Sequence, residues 1–214
     1  MKNIFYLFLL VNSQLCFAQI GLGVNAQSFY ERLYFKNNQY DYKDIKGSPY
    51  LNTEFQLAQI GDYKDIPARY NSYTDSFEFK KDGQTYIVPK EDNLGKIVFQ
   101  NSAKTFVLLN LDGVKTYLEE VDKEVVLLKK ITTTFKDFKK ASTSYEEDVP
   151  ASFVQQPPKY FLLNDRRLVE ATKKSLSNSF PEKEKSLKDF VKKKNLSYDK
   201  ESDLIKIVSF LKDK

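Results

Sequence analysis

The chain is predicted to be an α+β protein, an antiparallel β-meander (open or partly curled) followed by two C-terminal helices. Three observations predict this. Residues 47–120 alternate short aromatic and β-branched runs with Asp-Gly pairs, the pattern of successive hairpins. Residues 136–158 interrupt that pattern with Pro150, Pro157 and Pro158. From residue 172 onward the apolar period changes from two to between three and four, with lysine-rich faces between the apolar positions.

In chain order, Lys2 precedes an apolar run from Ile4 to Val11, and Cys16 and Ala18 stand three and one residues before a cut ahead of Gln19. This is the plan of a secretory signal peptide, residues 1–18, cleaved after Ala18, with an apolar run too short to span a membrane if retained. A lipoprotein signal that keeps Cys16 is the competing reading. It wants a small residue before the cysteine, and Leu15 is bulky. A buried first strand is opposed by the polar SQLCFAQ, which does not alternate. The chain is thus expected to be exported, periplasmic or secreted.

An N-terminal segment, residues 19–46, follows. Its Gly21-Leu22-Gly23-Val24-Asn25-Ala26 formally matches a dinucleotide fingerprint, but that motif needs a strand before it, and here a cleavage site precedes it. Ser28 to Phe35 suits a short helix or a first strand. Asp41-Tyr42-Lys43-Asp44-Ile45 recurs as Asp62-Tyr63-Lys64-Asp65-Ile66. Two copies fall short of the three that a repeat architecture requires, and no calcium-loop pattern accompanies the acids.

The sheet region is assigned to residues 47–171. Phe77 and Phe79 alternate with Glu78 and Lys80, which puts both rings on one face of a strand. Asp82-Gly83 and Asp112-Gly113 are expected hairpin turns, and Pro89 ends a strand by lacking the ladder donor. Residues 124–134 are apolar on both faces at their start, so a central strand is expected there. Residues 136–158 are expected to be a linker or long loop, with Glu146, Glu147 and Asp148 as solvated charge. Tyr160 to Leu163 and Arg166 to Glu170 make one more hairpin.

The helical region, residues 172–214, is expected to pack on the sheet. Pro181 suits a helix start, with Glu182 and Glu184 in the first turn and Lys192 to Lys194 in the last, complementing the helix dipole. Leu187, Phe190 and Val191 give it one apolar face. The final helix carries Leu204, Ile207, Val208 and Leu211 at i, i+3, i+4 and i+7, with Asp199 as its expected cap.

Composition narrows the chemistry. The chain has no histidine and one cysteine, Cys16, which the cleavage removes. Ser-His-Asp and Cys-His nucleophiles, imidazole or thiolate zinc sites and disulfides are therefore set aside, and no cofactor or metal is expected. The 196 residues after the leader suffice for a core, since a chain of this size buries about 70% of its unfolded surface. Residues 159–214 hold 15 basic and 9 acidic residues, whereas residues 19–158 hold 18 basic and 20 acidic. Lysine at this density on helices is ordinarily a solvated face, so membrane contact is at most peripheral and nucleic acid is not an expected partner.

GSPYLNTEF from Gly47, ARYNSYTDSFEF from Ala68 and the ending FPEKEKSLKDFVKKKNLSYDKESDLIKIVSFL from Phe180 resemble a family of exported Bacteroidetes proteins to which no activity is assigned. The resemblance runs from about Gly47 to the end. It implies an envelope location and carries no site residue.

Three functional expectations follow. The first is a non-enzymatic envelope binding or interaction protein whose sheet presents Tyr50, Tyr70, Tyr73 and Tyr86 to an envelope protein or a lipid-like ligand. The second is a periplasmic carrier of a lipid or lipoprotein, with an acyl chain held in the concave face of a curled sheet. The third is a hydrolase using two carboxylates, for which Glu78, Glu119 and Glu120 are candidates. The leader is testable by itself. Intact mass of the protein recovered from its native envelope is expected to match a chain starting at Gln19, and an acylated Cys16 at the N-terminus would overturn the assignment.

Overall fold

The fold is described here from a computed structural model, for residues 45–212 apart from 125, 165 and 166. The leader, the Gly21–Ala26 match and nearly all of the first Asp-Tyr-Lys-Asp-Ile copy lie outside the described residues. The expected α+β architecture is what the chain adopts. Its strands are β1 (Gln56–Ile60), β2 (Tyr63–Asn71), β3 (Ser76–Lys81), β4 (Gln84–Ile87), β5 (Ile97–Phe99), β6 (Thr105–Leu111), β7 (Val114–Asp122), β8 (Leu127–Lys130), β9 (Thr133–Lys136), β10 (Ser152–Gln155), β11 (Lys159–Asn164) and β12 (Arg167–Glu170). Ten of them form one open antiparallel sheet in the order β4-β3-β2-β1-β5-β6-β7-β8-β11-β12.

The Asp-Gly pairs act as expected. Asp82 and Gly83 have φ of 51° and 76°, and Asp112 and Gly113 have 52° and 86°. Two successive left-handed residues twist a two-residue loop in the sense its strands require. β8 is central, between β7 and β11, and is buried on both faces through Leu127 and Leu128.

The meander first breaks after β4, and after β8 the chain leaves the sheet for β9 and β10 before β11 returns beside β8. Pro89 ends β4, and β5 pairs with β1 through Ala58↔Phe99 and Ile60↔Ile97 instead of with β4. The returning chain crosses the β1–β2 turn at Gly61, whose N–H donates to the Lys96 carbonyl at 3.0 Å. A Cβ at Gly61 would lie 2.2 Å from the Leu94 carbonyl oxygen, so only glycine admits the crossing.

The sheet curls strongly. Five strand steps separate β3 from β7, about 24 Å in a flat sheet, yet the Phe77 and Tyr117 rings are 4.8 Å apart. Tyr70, Phe77, Phe99, Phe106 and Tyr117 fill the concave side, each at most 2% exposed. β8 pairs with β7 only from Glu119 onward. On the uncovered stretch before it, the Tyr117 N–H donates to Asp75 at 3.2 Å, and the Lys115 carbonyl accepts from Lys90 Nζ at 2.8 Å. Asp75 stands in the β2–β3 turn with φ of 52°, and it also accepts the Tyr70 hydroxyl at 2.7 Å and pairs with Lys90. Side chains, not a strand ladder, close the curl.

Beyond the curl, the same face of β7, β8, β11 and β12 carries the helices. Among the described residues three C-terminal helices are present where two were expected: α1 (Lys173–Ser179), α2 (Glu184–Lys193) and α3 (Glu201–Lys212). α1 has only Leu176 buried and so lacks an amphipathic stripe to announce it; Thr172 caps it by accepting the Ser175 N–H. Pro181 opens a 3-10 turn, Pro181–Lys183, that leads into α2. The expected stripe of α3 is buried in full, against Leu127, Leu162 and Leu187. Asp203 rather than Asp199 tethers the start of α3, accepting the Ser197 N–H at 3.1 Å. That contact is the main cause holding its carboxyl below the usual range.

Phe77→Ala is expected to destabilise by about 3–5 kcal/mol, the cost of deleting a buried aromatic ring. Asp75→Ala is expected to cost on the order of 2–3 kcal/mol, because it strands the buried Tyr70 hydroxyl. Denaturant midpoints check both against Lys81→Ala at the exposed end of β3. An Asp75→Ala midpoint equal to that control would remove the aspartate from the closure.

Candidate binding surface

The structure separates the four tyrosines. Tyr70 must be corrected: its residue is 1% exposed, its ring sits 4.9 Å from Phe77 and 5.1 Å from Phe106, and it faces no partner. Alternation fixes this, since Tyr70 shares the inward face of β2 with Ala68. Tyr50 is half-buried under Arg69, whose guanidinium carbon lies 3.6 Å from the ring centroid and also 4.4 Å from that of Phe55. Arg69 in turn donates to the buried Glu78 at 2.9 Å, making a closed packing unit on the convex face. Tyr86 is half-buried and stacks on Phe79 at 5.6 Å. Tyr73 alone is exposed, at 37%.

Tyr73 leads to a feature that the sequence reading assigned otherwise. Residues 136–158 are not a linker. β10 lies within them and pairs with β9 as a separate two-stranded hairpin through Phe153↔Phe135. Lys139 and Val149 prolong the hairpin, exchanging backbone hydrogen bonds of 2.9 and 2.8 Å. The acidic run holds its tip: Asp148 accepts the Ala141 N–H at 2.8 Å and Glu146 that of Ser142 at 3.0 Å. Asp and Glu side chains readily take backbone donors in turns.

The base of this arm is fixed to the sheet. Thr133 N–H donates to the Ser72 carbonyl at 3.0 Å, and their hydroxyls lie 2.7 Å apart. Lys46 exchanges hydrogen bonds with Ala151 and Phe153, and at Gly47 (φ 78°) a Cβ would fall 2.3 Å from the Phe153 carbonyl oxygen. Phe153 meets Tyr73 edge to face at 5.6 Å.

Above that base the arm carries exposed apolar side chains. Phe138 is 44% exposed, Val149 54% and Tyr145 100%. Apart from Tyr73 at the base, the large exposed hydrophobic residues elsewhere among the described residues, Leu57, Tyr63 and Val114, lie on different strands, which is ordinary for a surface. Reading the sequence missed Phe138, Tyr145 and Val149. The available signal was three large apolar residues in a polar segment with no period to bury them.

The three candidate carboxylates do not converge. Glu119 and Glu120 are neighbours on β7 and so face opposite sides of the sheet. Glu78 is held by Arg69, Glu119 lies 3.7 Å from Lys104 and 3.4 Å from Lys129, and Glu120 pairs with Lys96 at 2.6 Å. Each serves a cation rather than another carboxylate. Lys129 also pairs with Glu201 at 3.0 Å, and Tyr160 donates to the same carboxylate at 3.1 Å. No group of three potential metal ligands occurs among the described residues. No helix among them is long and apolar enough to cross a membrane.

Comparison with known proteins adds no assignment. No family model, curated protein or solved structure matches the chain.

Burial pushes the Tyr160 phenol up to about 12, aided by the Glu201 charge, the hydrogen bond to it, and Glu119. Tyr70 and Tyr117 are raised further, burial leading and the Asp75 charge following. A phenol whose folded value lies above its unfolded value of about 10 favours folding in its neutral form. That stability is fully present below pH 10 and is lost as the pH climbs through 12. Melting temperature is expected to fall across this window and to fall less steeply in Tyr160→Phe; identical slopes would show that Tyr160 titrates without consequence for folding.

Proposed function

We propose that this chain is an exported, non-enzymatic binding protein of the cell envelope, and that the β9–β10 arm is the element that meets its partner, an envelope protein. One observation carries the reading. Large apolar side chains are concentrated and exposed on a hairpin that is rigidly based and does not contribute to either face of the main sheet. Exposed apolar clusters of this kind mark contact sites, and an aromatic side chain at a tip supplies contact area at low entropic cost. Export is supported by the leader in residues 1–18. The non-enzymatic reading is supported by the dispersal of the carboxylates. In the carrier reading an acyl chain would lie on the concave face, and that face holds the protein's own rings.

A photoreactive amino acid placed at position 145 or 138 in cells is expected to give discrete adducts to one envelope protein. The same residue at position 81, at the exposed end of β3, is expected to give none. Tyr145→Ser with Phe138→Ser should remove the association while shifting stability by no more than about 0.5 kcal/mol, as for ordinary surface changes. Absence of adducts at both arm positions, or an equal yield at position 81, would sink the proposal.

A further inference from the structure

The excess charge of the molecule sits on one stretch of chain. Residues 172–194, which contain α1 and α2, hold eight lysines against three acids, a net of +5 that equals the formal net charge of the whole chain. The other residues hold 26 charges of each sign. On α2 the helical period sorts this excess onto one side. Leu187 is 0% exposed in the helix core, Val191 packs beside it, and Phe190 stacks on Phe210 of α3 at 4.4 Å. The opposite arc carries Lys185, Lys188, Lys192 and Lys193, all exposed, with Asp189 as the one acid among them. Lys188 pairs with Glu184 at 2.6 Å, whereas Lys185, Lys192 and Lys193 make no ion pair among the described residues. Surfaces that serve solubility alone mix both signs. Elsewhere on this chain lysines do meet acids, as Lys90 meets Asp75, Lys96 meets Glu120 and Lys129 meets Glu119 and Glu201.

We propose that this lysine face of α2 rests on an anionic lipid surface. The apolar side of the helix is committed to the fold, so no apolar stripe is left to enter a membrane as that of an interfacial amphipathic helix does. Contact is made by charge alone. Residue type favours lipid headgroups over other anions. The planar fork of arginine is suited to fixing one carboxylate or phosphate, and aromatic rings are the platforms on which nucleobases stack. The lysine arc of α2 has neither, and residues 172–214 contain no arginine at all. Lysine is a hydrated point charge on a flexible stem, which suits a layer of mobile headgroups with no fixed positions. Near such a surface each lysine strengthens binding by about fivefold, so the four on α2 suffice for a reversible, salt-sensitive attachment. This face is separate from the β9–β10 arm, and either contact can hold without the other.

The test is sedimentation of the mature chain with vesicles of an equal mixture of phosphatidylglycerol and phosphatidylcholine, and with vesicles of phosphatidylcholine alone. The chain is expected to pellet with the first and not with the second. It is expected to be released at about 1 M salt, where the screening length falls to about 3 Å. Variants are compared at about 0.1 M salt, where charges more than about 10 Å away are largely screened. Lys185→Glu with Lys192→Glu is expected to weaken binding by about tenfold or more. Lys64→Glu with Lys81→Glu changes the net charge equally, at exposed positions on β2 and β3. It is expected to weaken binding by no more than about twofold. Both double variants are expected to keep the parent melting temperature, since all four side chains are exposed, so a loss reports the contact and not the fold. Equal weakening by the two pairs would reduce the effect to net charge and overturn the assignment. Pelleting with neither kind of vesicle would overturn it too, and binding of an oligonucleotide or of polyglutamate in their place would give the face to nucleic acid or to an acidic protein.

Discussion

A single carboxylate closes the curl on which this molecule is built. Asp75 reaches across from the β2–β3 turn to take a backbone N–H that β8 is too short to take, together with the buried Tyr70 hydroxyl and the Lys90 ammonium. A β-barrel would meet the same need with a ladder running along both strands. Here the sheet remains open, and the closing contact is local and partly charged. Charge-assisted hydrogen bonds are about twice as strong as neutral ones, which suits a seal with few bonds. The rings of Phe77, Phe106 and Tyr117 depend on it, because they form a core only when β3 and β7 face each other.

One continuous face of the sheet thus supports two cores in series. Toward β1 it is lined by rings; toward β12 it is covered by helices. Between them runs a row of charge: Lys104, Glu119, Lys129 and Glu201, with Tyr160 alongside. Along β8 and the residue after it the alternation is visible in three side chains, Leu127 in the helix core, Lys129 in the row and Ile131 in the ring core. Glu119 is only 6% exposed, and a carboxylate so placed requires cations on both sides. The row divides the apolar interior without interrupting the sheet, and it ties the first turn of α3 to β8.

What could be read in advance was whatever is encoded locally. Asp82-Gly83 and Asp112-Gly113 set two hairpins by backbone chemistry alone, and the stripe of α3 named its own buried face. Pairing between distant strands is a different matter. Nothing in Ala58 or Phe99 states that β5 will lie against β1, since that choice follows from Pro89 ending β4 and Gly61 admitting the crossing chain. Tyr70 illustrates a limit of residue type: a tyrosine in an alternating strand suits either face, and the Asp75 acceptor that makes burial acceptable is fixed only by the tertiary turn. β10 was hidden because the prolines that bracket it also bracket loops. Phe138 and Tyr145 were in plain view, but an apolar residue without a period announces exposure only once every other core position has been accounted for.

The closure at Asp75 also sets an order in time. A chain made from its N-terminus completes β1 to β4 first, and that four-strand piece holds Tyr70, Phe77 and Asp75 with nothing to put against them. Phe106 and Tyr117 lie about thirty and forty residues beyond Phe77, and contacts at that separation are slow to form because the intervening loop must first be ordered. Until β7 emerges, two large rings and an uncovered strand edge face the solvent, the kind of surface that partly made β proteins aggregate through. The vulnerable species of this protein is therefore a nascent one, and its lifetime ends when the Tyr117 backbone reaches the aspartate.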